Sequence, residues 1–206
     1  MKKSLKFVLL FSTYTTLISC SKKASQMNEW NNLTNATKQT INARSIIEIK
    51  QRYALLTNEE KQILWDTKWN AILKNDANKL TSDQLKIVMM IKTFVDTVTI
   101  ERLYKNPTPG EAFIKANLPY FEKDFSNAQL YLLIECPYFC ENFSLLNSSS
   151  YTIPMDPDAP PGERLCQCYY SISCSISGDG VCMDGGCKPV SGCGLTGTSN
   201  CTGVCK

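Results

Sequence analysis

The chain has 206 residues and no histidine. That absence removes the commonest general base, the commonest nitrogen ligand for metals and the nucleophile pairs that depend on an imidazole. Most hydrolase mechanisms are thereby excluded, and the sequence is read as non-catalytic, with no catalytic residues, cofactor or metal assigned. Large apolar side chains and charges are scarce in residues 166–206, where only Asp179, Asp184, Lys188 and Lys206 are charged, while eight of the 10 glycines fall there. Such a segment cannot offset its chain entropy by burial alone. No second apolar run of membrane-spanning length, about 20 residues, follows the first one.

What is present begins with that first run. Lys2, Lys3 and Lys6 precede apolar residues 7–18, which end at Leu17-Ile18-Ser19-Cys20. This is the pattern of a secretory signal (residues 1–19) closed by a lipobox, and Cys20 is the expected lipidation site. Acyl chains on one residue would anchor the protein to a membrane without a spanning helix. Ser21 is not the aspartate that retains some lipoproteins on an inner membrane, so an outer-membrane address in the cell envelope is favoured where the cell has one. Loss of the three leader lysines lowers Lys plus Arg from 22 by three, to equal the 19 acidic residues. A neutral chain lacks the positive charge that nucleic acids select.

Residues 20–40 are polar and read as a flexible tether, with Trp30 and Leu33 as its only docking candidates. Residues 41–147 read as a small bundle of five helices. Ile46, Ile49, Tyr53 and Leu56 form a first stripe. The capping box Thr57-Asn58-Glu59-Glu60 then opens a second helix carrying Trp65, Trp69, Ile72 and Leu73 at core spacing. A second box, Thr81-Ser82-Asp83-Gln84, starts a long helix through Leu85, Val88, Met89, Val95 and Val98 that should run to Asn106, before Pro107. Thr108-Pro109-Gly110-Glu111 restarts a short helix that Pro119 should end. Ser126-Asn127-Ala128-Gln129 caps the last, with Leu130, Leu133 and Ile134. Ser148, Ser149 and Ser150 with Pro154, Pro157, Pro160 and Pro161 mark residues 148–164 as a linker. The expected fold is therefore mainly α, a helical bundle followed by an irregular disulfide-rich module at 165–206.

Of the 11 cysteines, eight lie in that module: Cys166, Cys168, Cys174, Cys182, Cys187, Cys193, Cys201 and Cys205. In an oxidising compartment they make four bridges, each contributing about 2–4 kcal/mol. Their pairing is open among roughly a hundred arrangements, although the neighbours Cys166 and Cys168 are expected to bond elsewhere. Cys136-Pro137-Tyr138-Phe139-Cys140 has three residues between its thiols rather than the two of thioredoxin-type motifs; Cys136 and Cys140 are read as a further structural disulfide, with pairing into the tail as the alternative. A thiolate metal cluster is disfavoured by the irregular spacing. A calcium loop at Ser177-Gly178-Asp179-Gly180 with Asp184 lacks the required number of oxygens.

The run CQCYYSISCSISGDGVCMDGGCKPVSGCGLTGTSNCTGVC, residues 166–205, resembles the eight-cysteine tail of bacteriocin fulvocin C-related proteins. The shared features are the opening Cys-x-Cys, a cysteine six further on, the Gly-Cys-Gly at 192–194 and the closing cysteine pair. The segment TNEEKQILW, residues 57–65, is similar to an upstream element of that family. The resemblance implies a bacteriocin-like exported lipoprotein whose stapled tail is the active part, acting on a target cell and released into the medium if the linker is cut. The low tail charge departs from a strongly cationic antimicrobial. The other reading is an envelope lipoprotein whose module binds a protein or glycan in place.

Overall fold

The computed structural model describes residues 33–42, 46–137, 144–146, 166, 168 and 182–205. The described residues form a mainly helical protein of seven helices followed by four short strands. The helices are α1 (Asn35–Ile41), α2 (Ile46–Leu55), α3 (Asn58–Asp76), α4 (Ser82–Val98), α5 (Ile100–Lys105), α6 (Thr108–Phe121) and α7 (Asn127–Ile134). None of the described helices is long and apolar enough to cross a membrane.

All three capping boxes form. At α3 the Thr57 hydroxyl accepts from the Glu60 amide at 3.2 Å while the Glu60 carboxylate accepts from the Thr57 amide at 2.9 Å. Thr81 with Gln84 and Ser126 with Gln129 repeat this at α4 and α7. Each box satisfies two of the amides that a helix start leaves without partners.

The central element is α3, which packs on α1, α4 and α5. Leu64, Trp65, Lys68, Trp69 and Ile72 are all fully buried along it, so it is covered on more than one side. The Trp65 and Trp69 rings lie 5.3 Å apart, and the Trp69 indole donates to the Leu133 carbonyl of α7 at 3.3 Å. Burying each indole removes about 200 Å² from water, on the order of 5 kcal/mol. The same helix delivers Asp76, whose buried carboxylate accepts from Ser144 Oγ at 2.6 Å and the Leu145 amide at 2.7 Å. These bonds pin the chain beyond α7 back onto the bundle. Asp76→Ala leaves the Leu145 amide buried without its acceptor and should lower stability by about 2–4 kcal/mol; the midpoint of chemical denaturation reads this directly.

Three sequence expectations change. The polar stretch assigned to the tether contains α1, capped by Thr34 and anchored by buried Leu33, Thr37, Thr40 and Ile41. The single helix expected from Thr81 to Asn106 is two, because Thr99 takes φ +66° between α4 and α5. Gln62 of α3 makes this break affordable: its side-chain oxygen accepts from the Ile100 amide at 3.0 Å, one of those the break releases. Finally, Pro119 lies inside α6. The helix continues two residues past it because Phe121 is fully buried and the Glu122 amide still reaches the Leu118 carbonyl at 3.0 Å.

The tail adds strands where no sheet was expected: β1 (Cys182–Asp184), β2 (Val190–Cys193), β3 (Ser199–Cys201) and β4 (Gly203–Cys205). β1 pairs antiparallel with β4, placing Cys182 opposite Cys205, and β2 pairs antiparallel with β3 across a bulge between Ser191 and Cys193. Between β2 and β3 lies a 3-10 turn, Leu195–Gly197, that contacts α6 and α7. Leu195, the only leucine beyond Cys166 in the sequence, joins the same buried cluster as the helices. The stapled tail therefore borrows the helical core instead of standing on its bridges alone.

Candidate functional site

The tail meets the helices along one seat, built from residues that the helical periodicity brings to a common face. Lys50 and Tyr53 stand one turn apart on α2, Trp65 comes from α3, Tyr104 from α5 and Gly110 from the first turn of α6. Into this seat goes loop 192–198, Gly-Cys-Gly-Leu-Thr-Gly-Thr.

The loop's backbone is read by two phenols. Tyr53 Oη donates to the Thr196 carbonyl at 2.7 Å and accepts from the Trp65 indole N–H at 3.0 Å, a buried relay joining tail, α2 and α3. Tyr104 Oη donates to the Gly197 carbonyl at 3.3 Å. Burial pushes the Tyr53 phenol well above its ordinary range and that of Tyr104 up to about 12. Both therefore remain protonated donors throughout the physiological range. The Lys61 ammonium lies 4.2 Å over the Tyr104 ring and 5.3 Å over that of Tyr53, closing the back of the site. Burial holds the Lys61 pKa below its usual value.

Shape complements the hydrogen bonds. A Cβ on Gly197 would sit 3.2 Å from the Tyr53 ring, at a φ of +68° that favours glycine. A Cβ on Gly110 would meet Leu103 at 3.2 Å and Leu195 at 3.7 Å, so the missing side chain makes room for both leucines. Thr196 and Thr198 hydroxyls each donate to the Leu195 carbonyl, at 2.7 and 2.8 Å, which holds the turn closed. Tyr53→Phe leaves the Trp65 N–H and the Thr196 carbonyl without their shared partner and should cost about 2–4 kcal/mol. Urea unfolding compared with wild type measures it.

Three disulfides staple the described tail: Cys166–Cys187, Cys168–Cys182 and Cys193–Cys201. The first two send the Cys166 and Cys168 neighbours to different partners. The third closes the seated loop, and the Lys50 ammonium stands 3.8 Å from Cys201 Sγ and 4.0 Å from Cys193 Sγ. Desolvation lowers the Lys50 pKa, opposed by the charges of Glu135 and Cys136. Of the other cysteines singled out by sequence, Cys20, Cys140 and Cys174 lie outside the described residues, and Cys205 is in β4. Cys136 is buried directly after α7, and Cys140, its expected partner, lies outside the described residues. It belongs to the same buried cluster as the helices.

Other described tail residues are exposed. Met183 is 47% exposed, and Gly185, Gly186, Lys188, Pro189 and Asn200 are exposed with it. A second open feature is a shallow groove of about 500 Å³ between α4 and α6, lined by Met89, Met90, Phe94 and Phe113 among others. Among the described residues no group of three or more His, Cys, Asp or Glu side chains could hold a metal ion. The arrangement around loop 192–198 is thus suited to holding a peptide segment through its backbone carbonyls and one leucine.

The sequence marks the cysteines and the tryptophans but not the seat. Tyr53 falls in a core stripe and Gly110 in a helix-start segment, while Tyr104 and Lys50 carry no motif. The usable signal was Leu195, one large aliphatic side chain in an otherwise small and polar run.

Together these features define a class: a helical protein whose disulfide-stapled C-terminal tail is docked in the helical core. No family model, no curated protein and no solved structure matches the chain.

Proposed function

We propose that this chain is a bacteriocin-like, fulvocin C-related exported lipoprotein, anchored to the cell envelope through Cys20, with the stapled tail as its active part. The helical domain carries the tail. The observation behind this reading is a contrast within the tail: loop 192–198 is gripped by Tyr53, Tyr104 and the Leu195 pocket, while Met183 and Lys188 are exposed. A module held through one loop and exposed elsewhere is arranged for presentation. Purified oxidised protein, intact and cut in the linker, should inhibit growth of related bacteria when applied to them. Absence of inhibition by either form removes the antibacterial reading.

A second reading rests on the burial of Leu195, which ties the tail to the helices. Here the module stays attached and binds an envelope protein or glycan through its exposed residues, without catalysis. Cross-linking from Lys188 in intact cells distinguishes the two, since the first reading directs the tail to other cells and the second to a partner in the producer's own envelope.

A further inference from the structure

We propose that the helical domain is a receptor for loop 192–198, binding it tightly enough to retain the tail as a separate chain after the linker is cut. This deepens the proposed function, in which linker cleavage would release the tail, but the retention itself does not depend on what the tail does.

The contacts are those of a peptide-binding site. Two buried or largely buried phenols donate to consecutive backbone carbonyls, those of Thr196 and Gly197. Leu195 fills a recess opened by the absent side chain of Gly110, beside Leu103. Gly197 is read by exclusion, since any side chain there would meet the Tyr53 ring. The partner is therefore specified as a bridged loop carrying Gly-Leu-Thr-Gly. The loop arrives preorganised, because the Cys193–Cys201 bridge and the two threonine hydroxyls fix its turn before it docks, and a prefixed ligand loses less freedom on binding. The Lys50 stem also lies along Gly192, and its ammonium reaches the bridge sulfurs. Each of the three described disulfides closes within the tail, so none of them ties it to the helices. Among the described residues, what joins the two parts is the seat.

The test places a site-specific protease sequence within residues 148–164 of the full oxidised chain, cuts it, and passes the product over a sizing column under native conditions. The expected result is co-elution of tail and helices, with separation of the two pieces on a denaturing, non-reducing gel. In the cut protein, Tyr53→Phe should speed tail loss at least tenfold, and Leu195→Ala should free the tail within the column run while circular dichroism still reports the helices. If the Leu195→Ala protein does not fold, Tyr53→Phe alone decides. Separation of the wild-type pieces on the native column overturns the proposal. So does a tail that stays joined on the denaturing gel, or one whose loss rate Tyr53→Phe leaves unchanged. Growth inhibition is not read here, so failure of retention and failure of the antibacterial reading are separate outcomes.

Discussion

Leu195→Asp should detach the tail from the helical domain and leave the helices folded. Leu195 is 2% exposed and belongs to the cluster that contains Leu103, Ile114 and Leu133. Truncation to alanine at such a site costs about 2–5 kcal/mol, combining lost transfer energy with the cavity left behind. Aspartate adds a charge that docking would strip of water among these apolar side chains, a penalty of several kcal/mol, which exceeds what the two tyrosine bonds return at about 1 kcal/mol each. Undocking relieves the penalty, so the loop moves out before the bundle melts. The helices retain α3, with both tryptophans, and the Ile87, Val88, Ile91 and Val95 stripe of α4. Hydrogen exchange should show amides of residues 192–201 losing protection while those of α3 and α4 keep it. Loss of protection throughout would mean that the seat is part of one cooperative unit with the bundle.

The second large effect is one of pH. Lys68 is fully buried in α3, its ammonium donating to the carbonyls of Leu132 and Cys136 at the end of α7 and lying 4.5 Å over the Trp65 ring. Desolvation lowers its pKa from 10.5 to about 7, with the nearby Cys136 opposing the shift. The unfolded chain holds the proton up to about 10.4. Between these values the unfolded state binds one more proton than the folded state, so stability rises with pH, by about 1.4 kcal/mol per unit from this group. Below pH 7 both states are protonated and the penalty for burying the charge is fully present. Lys68→Met keeps most of the volume and removes the titration. The wild-type-minus-variant difference in unfolding free energy should climb by roughly 3 kcal/mol from pH 7 to pH 9.5. A flat difference would mean that Lys68 keeps its proton in the folded state, held by the carbonyls and the indole face.

How legible these features were depends on the range of the interactions behind them. The capping boxes at Thr57, Thr81 and Ser126 were readable because donor and acceptor lie three residues apart. Trp65 and Trp69 were placed in the core correctly by their spacing. The Thr99 break was not readable, since its compensation comes from Gln62, thirty-eight residues away. Pro119 reads as a stop because the burial of Phe121, which carries α6 past it, is a tertiary fact. Nothing in the sequence marks Lys68 as buried, since only the folded chain at the end of α7 supplies the carbonyls it needs. Likewise the cysteine pattern announced staples without their pairing, and it gave no sign that one stapled loop would sit in another element's core.

That seat has a consequence for how the cysteines find one another. A pocket shaped for the turn that Cys193–Cys201 closes binds the correctly paired tail in preference to its isomers. By linkage, it favours that pairing in thiol–disulfide exchange by the same factor as it favours docking. The helices precede the tail in the chain, so during synthesis they can fold first. They would then serve as a jig on which the later cysteines are sorted.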